Sequence, residues 1–240
     1  MSAEGLLVHA GARRIGRQDL PAIVTPDATL THRPIPHATL VESILESLAY
    51  RQLDVLRDEY AVSADGMRLF GFLEVNIEHD GVRLALVFRN SHDKSFSLGL
   101  MAGYRTFCCD NLAFHGEFVA IAKKHTKNVQ LEEVVGVGVD RVQRHFQKVT
   151  ATLEAWRDYQ LPDANAKAVI YDAFVAGRLD VPHRLASDVH RLYFEPEHEE
   201  FRPRTFYSLS NAFTSAFKTL EPVRQMQATA DLAQFLGRYE

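Results

Sequence analysis

The chain has 240 residues, 46% hydrophobic and 24% charged, with 27 Lys/Arg against 31 Asp/Glu for a formal net charge of −4. That composition suits one large globular domain, excludes wholesale disorder, and argues against a uniformly basic nucleic-acid coat. No apolar run approaches the roughly 18–20 residues of a membrane span. The N-terminus lacks the basic region and long apolar core of a secretory signal, and the two cysteines, Cys108 and Cys109, are adjacent, so a reduced cytoplasmic protein is expected.

Residues 1–36 carry Pro21, Pro26, Pro34 and Pro36 without sustained periodicity, which predicts an arm or loop on the body. A helix is predicted over 37–52 from Leu40, Ile44, Leu45 and Leu48, with Thr39 and Glu42 spaced as a capping box. Alternating apolar and polar residues then predict strands over 53–62, 67–78, 82–90 and from Ser95 to about Phe107. Ala64-Asp65-Gly66 and Asp80-Gly81 supply turn chemistry between the first three. On the last strand, Ser95, Ser97, Gly99, Met101 and Gly103 form a slim face that could admit a neighbour or ligand.

From Asn111 the pattern reads as helical, with one helix expected over 112–124. A long helix is predicted over 131–160, because Val135, Val139, Val142, Phe146, Val149, Leu153 and Trp156 alternate steps of four and three. Such a stripe suits a core helix lying on the meander, with a dimeric coiled coil as the alternative. Further helices are expected at 164–177, 183–194, 205–219 and 222–237. The fold class is therefore α+β: an antiparallel meander packed by helices, with a helical C-terminal half. Its parts are an arm (1–36), an α+β core (37–160) and a helical part on the same core (161–240).

Charge is unevenly distributed: residues 1–82 carry −5, residues 83–148 carry +4 and residues 149–240 carry −3. The basic middle contains Arg83, Arg89, Lys94, Arg105, Lys123 and Lys124, candidate phosphate contacts, since phosphate binding needs clustered cations and not a basic protein overall. Arg83 and Arg89 share one strand face, and their competing role is to pair with Glu74, Glu78 or Asp93 and solubilise the sheet.

Chemistry-bearing residues are sparse. His92 and Asp93 lie in a polar stretch between two strands, where they could polarise a water or cap the turn through side-chain to backbone bonds. Cys109 precedes Asn111, where an expected helix start could lower a thiol pKa, although buried packing is the commoner fate of a free cysteine. His190, Glu195, Glu197 and His198 are metal-ligand types without ligand spacing. Gly136-Val-Gly138 lacks the third glycine and preceding strand of a dinucleotide site. No metal, cofactor or catalytic set is assigned.

Phe88-Arg-Asn-Ser-His-Asp-Lys-Ser95, then Gly103-Tyr-Arg-Thr-Phe-Cys-Cys-Asp-Asn111, and later Phe206-Tyr-Ser-Leu-Ser-Asn-Ala-Phe-Thr214 resemble three segments of one family. It is the domain-of-unknown-function 932 family, phage/plasmid-like proteins of bacteria and their mobile elements. The matching motif positions are Ser91, His92, Asp93, Ser95, Arg105, Cys109, Asn111 and Asn211. The resemblance runs over roughly residues 40–220 and implies a mobile-element context with little mechanism. By fold analogy, a meander followed by a long helix is similar to the core of single-strand annealing proteins. The leading expectation is an oligomeric accessory protein that binds or anneals single-stranded nucleic acid in replication or recombination. The alternatives are a module that binds a host defence or replication protein, or an enzyme centred on His92, Asp93 and Cys109. His92 and Asn111 are expected at opposite ends of the sheet.

Overall fold

The structure is a computed structural model that describes residues 12–30, 32–106, 111–114, 121–123, 130–220 and 222–239. Among the described residues, seven antiparallel strands form one sheet: β1 (Ala12–Ile15), β2 (Val55–Ser63), β3 (Arg68–His79), β4 (Val82–Ser91), β5 (Leu98–Thr106), β6 (Asn111–Phe114) and β7 (Ile121–Lys123). The first six follow in spatial order, and β7 pairs with the far part of β5. Helices are α1 (His37–Tyr50), α2 (Leu131–Asp158), α3 (Asp163–Phe174), α4 (Leu185–Phe194), α5 (Phe206–Phe217) and α6 (Pro222–Leu236). The expected α+β architecture, a meander with a helical C-terminal half, is what the chain adopts.

The meander forms where alternation and turn chemistry agree. Asp80 and Gly81 both take positive φ (48° and 76°), the geometry of a tight hairpin whose twist matches its strands. Alternation then sends Leu69, Leu73, Val75, Leu84, Leu86, Phe88, Leu98, Leu100 and Tyr104 into one core, all 2% exposed or less. Gly71 is required there, because a Cβ at that position would lie 2.0 Å from the Phe88 ring tip. Helix α2 lies over this face. All seven residues of its predicted stripe are buried inside the same chain, so the core-helix reading holds and the stripe is not free to pair with a second copy.

Several local expectations are corrected. The stretch 112–124 contributes strands β6 and β7 instead of one helix. Its apolar residues fit either period, and hydrogen bonding to β5 decides the matter. Helix α1 begins at His37 behind Pro36, without a side-chain cap from Thr39. The arm is partly ordered as an edge strand: Ala12–Ile15 pairs with Tyr60–Ser63, followed by a 3-10 turn over Arg17–Ala22. β5 starts at Leu98, three residues later than expected.

The helical half is tied to the hairpin end of the sheet. Arg157 on α2 binds Asp80, donates to the Tyr207 hydroxyl (3.0 Å) and lies 4.3 Å from that ring's centre. None of the described helices is long and apolar enough to cross a membrane.

Candidate functional site

The motif Ser91–Ser95 closes the end of β4. Lys94 takes φ 65°, and the carboxylate of Asp93 ties the turn together. It accepts from Ser91 Oγ (2.6 Å), Ser95 N (3.0 Å) and Arg68 Nε (2.8 Å). Ser91 Oγ also accepts from Ser95 N at 3.1 Å. These donors hold the Asp93 carboxyl well below the usual carboxylate range, the Ser91 bond foremost, against the opposing effect of partial burial. Asp93 therefore acts as a turn cap here.

His92 is buried, which the polar surroundings of the motif did not suggest. Its Nε2 donates to the Ile35 carbonyl (2.9 Å), and its ring stacks on His37 with centroids 3.9 Å apart and planes 8° from parallel. His37 Nε2 donates to the Gly66 carbonyl (3.0 Å), while His37 Nδ1 accepts from Asn90 Nδ2 (2.9 Å). Asn90 Nδ2 also donates to Ile35 O at 2.8 Å. His32 Nε2 reaches the His92 carbonyl at 3.2 Å. Burial lowers the His92 pKa, against the weaker pull of its bond to Ile35. Three histidines from segments far apart in sequence thus pin the stretch before α1 to the end of the sheet.

The rest of the motif lies elsewhere. Asn111 opens β6 and pairs with Thr106, which itself pairs with Val82. It is therefore at the hairpin end, nine residues of β4 away from Ser91, or about 30 Å. The expected helix start at Asn111 is replaced by this strand, and Cys109 lies outside the described residues. Asn211 sits on α5, 3% exposed, donating from Nδ2 to Tyr207 O. It borders a cavity of about 270 Å³ between α4 and α5, lined also by Arg191, Glu197, His198 and Ser208. Of the metal-type residues around it, Glu197 pairs with Arg191 and His190 packs on Phe194. Among the described residues, no group of His, Cys, Asp and Glu is arranged to hold a metal ion.

The second face of the sheet carries charge. Arg83 binds Glu74 (2.6 Å) and Glu78 (3.1 Å), the solubilising role weighed from sequence, and its pKa rises chiefly through the Glu74 bond. Glu59 is bound by Arg57 and approached by Arg14 at 3.8 Å. Glu59 and Glu74 are 3% and 2% exposed, so two carboxylates are buried on a sheet face and neutralised by arginines. Glu74 was expected from sequence as a partner of Arg83, but the burial of both glutamates was not, although both fall on the polar side of the alternation.

Away from those carboxylates the same face changes character. Arg89 lies 5.0 Å from the centre of the Phe96 ring, which packs on Phe70 with centroids 5.5 Å apart. Both rings are half-buried, Lys94 is exposed, and burial lowers the Arg89 pKa. Strand register aligns Arg14, Ala61, Phe70, Arg89 and Gly99 in one row across β1 to β5. Arg105 is aligned with Arg83 two strand residues beyond Gly103, and Lys123 closes β7 opposite Leu98. Lys124 lies outside the described residues.

No curated protein and no solved structure matches the chain significantly. A family model does match it, over residues 33–235, and that span takes in His37 and His92, the Asp93 turn, the whole of β2 to β5 and Asn211 on α5. Because the match covers most of the chain, the protein belongs to the family described as Domain of unknown function (DUF932).

Proposed function

We propose that this protein binds single-stranded nucleic acid across the second face of its sheet, as a mobile-element accessory protein in replication or recombination. The observation that carries the reading is the row from Arg14 through Ala61 and Phe70 to Arg89 and Gly99, with Phe96 packed beside it. Single strands are held by aromatic faces that stack bases and by cations that track the backbone. Phe70 and Phe96 supply partly exposed rings; Arg89, Lys94, Arg68 and Arg14 supply cations around them. Ala61 and Gly99 keep the row low between the larger side chains. Strand spacing sets Arg14 and Arg89 roughly 14 Å apart. Arg83 stays with its two glutamates and is not part of this track.

A labelled single-stranded oligonucleotide titrated with the protein at two salt concentrations tests the reading. Phe96→Ala should weaken binding by about 1–3 kcal/mol, the worth of one stacked base. Arg14→Ala with Arg89→Ala should lower affinity and flatten the salt dependence, each phosphate contact contributing about −0.7 to the slope. No binding by the unmutated chain at low salt would overturn it. A protein-binding role would then lead, favoured by Tyr171 and Val175, 59% and 60% exposed and one turn apart at the end of α3.

A further inference from the structure

We propose that His37 and His92 form a pH-sensitive strap: neutral, they hold the stretch before α1 on the end of the sheet, and on protonation they release it. The inference is independent of the ligand reading.

The hydrogen bonds fix the protonation of the two stacked rings. His92 donates from Nε2 to Ile35 O, so the neutral ring carries its lone pair on Nδ1. That Nδ1 is buried with no hydrogen-bond partner among the described residues, as is Asn90 Oδ1. A proton on Nδ1 would place a full charge in a side chain 4% exposed, against a parallel imidazole 3.9 Å away. His37 is constrained more tightly. Its Nδ1 must accept, because Asn90 Nδ2 donates to it, and its Nε2 is committed to Gly66 O. Protonating Nδ1 would require the Asn90 amide to turn over. The turned amide would face Ile35 O with its own oxygen, replacing a 2.8 Å bond with repulsion between acceptors. One carbonyl, Ile35 O, thus locks both stacked rings as acceptors at Nδ1.

The charged and titratable groups around the rings do not offset this. On the segment itself are His32, Arg33 and His37; in the turn after β4 are Asp93 and Lys94; on β3 is Arg68; and in the β2–β3 turn is Asp65. Asp93 favours a charged His92 but is itself bound to Arg68, Ser91 and Ser95, and His32 opposes a second positive charge. Asp65 is held by Ser63 and the Met67 amide. Burial is the largest influence on His92 and acts against the charged form. Released, the His92 ring would regain the ordinary histidine value near 6.5, so release binds protons and is favoured as pH falls below that value. Thr29 bonds His32 within the segment, so the stretch can leave as a unit, pivoting at Pro36 ahead of α1.

Hydrogen exchange of the full chain between pH 7.5 and 5, corrected for the intrinsic pH dependence of exchange, tests the strap. Protection in peptides covering 29–37 and 90–93 should fall by up to tenfold per pH unit for each histidine that gains a proton, while α2 and β3 stay protected. His92→Gln, which can still donate to Ile35 O but does not titrate, should flatten the response; His183→Gln, at an exposed position, should leave it intact. If His92→Gln fails to fold, the unmutated protein still decides. Unchanged protection of 29–37 down to pH 5 would overturn the proposal, and so would loss that is simultaneous across the whole chain.

Discussion

The two faces of the sheet are built from the same strands and are both largely closed to solvent, yet by different chemistry. The helix-covered face is apolar except at its Asn90 end, and its close fit is visible at Gly71 against Phe88. The second face buries Phe72, Val87 and Met101 beside Glu59 and Glu74, with arginines from β1, β2 and β4 neutralising the carboxylates. An apolar face is stabilised by area and shape, and errors there cost volume. A charged buried face is held by pairing, and errors there leave a lone charge. Only the second kind of face can also combine cations with half-covered rings, as it does around Phe96.

The largest expected effect lies on the apolar face. Phe88→Ala should cost about 4 kcal/mol, the usual price of an emptied aromatic site. Gly71→Ala alone should cost about 3 kcal/mol by overpacking. Combined with Phe88→Ala it should cost much less than the sum, since the added methyl then meets open space. Denaturant titration of the four proteins checks this, and additive costs would break the claimed contact.

On the charged face, Arg83→Ala should cost about 3 kcal/mol by stranding Glu74, whereas Arg83→Met with Glu74→Leu should recover most of that loss. An equal loss in the double variant would mean the pair matters for more than mutual neutralisation.

A smaller effect concerns the junction between the faces and the chain that precedes α1. The His92 pKa is lowered in the folded state, so between that value and about 6.5 the unfolded chain binds more protons. Stability should therefore be full above pH 6.5 and decline as pH falls through the folded value, by at most about 1.4 kcal/mol per pH unit for this residue. Melting curves of the unmutated protein and His92→Gln should converge in slope above pH 7 and separate below 6.

The apolar face was legible from the residues because period-two alternation and a four-three stripe each state which side is buried. The error at 112–124 arose where Leu112, Phe114 and Ile121 satisfy both periods and only pairing with β5 chooses. Burial of His92 was invisible for another reason: its partners, Ile35 and His37, stand more than fifty positions earlier, and nothing local in Asn90-Ser-His-Asp announces them. Turn capping by Asp93, by contrast, follows from local chemistry and was weighed from sequence. The Glu59 and Glu74 pairs depend on register, which irregularities between Val55 and Arg57 and between Glu74 and Glu78 shift. The row from Arg14 to Arg89 likewise exists only once β1 is known to be a strand.

The smallest effects on stability should come from Lys94→Ala, near the ~0.5 kcal/mol of ordinary surface changes, and from Phe96→Ala, about 1–2 kcal/mol for its half-buried contacts with Phe70 and Arg89, although both should weaken oligonucleotide binding. That contrast would separate the proposed binding part of the second face from its buried pairs.

The most direct test of the central claim, that the second face holds single strands, is photocrosslinking of a bromouracil-substituted single-stranded oligonucleotide followed by peptide mapping. Cross-links should fall on the peptides bearing Phe70 and Phe96 and disappear with Phe70→Ala/Phe96→Ala in a protein that still melts normally. Cross-links confined to α3–α6, or unchanged in that variant, would contradict it.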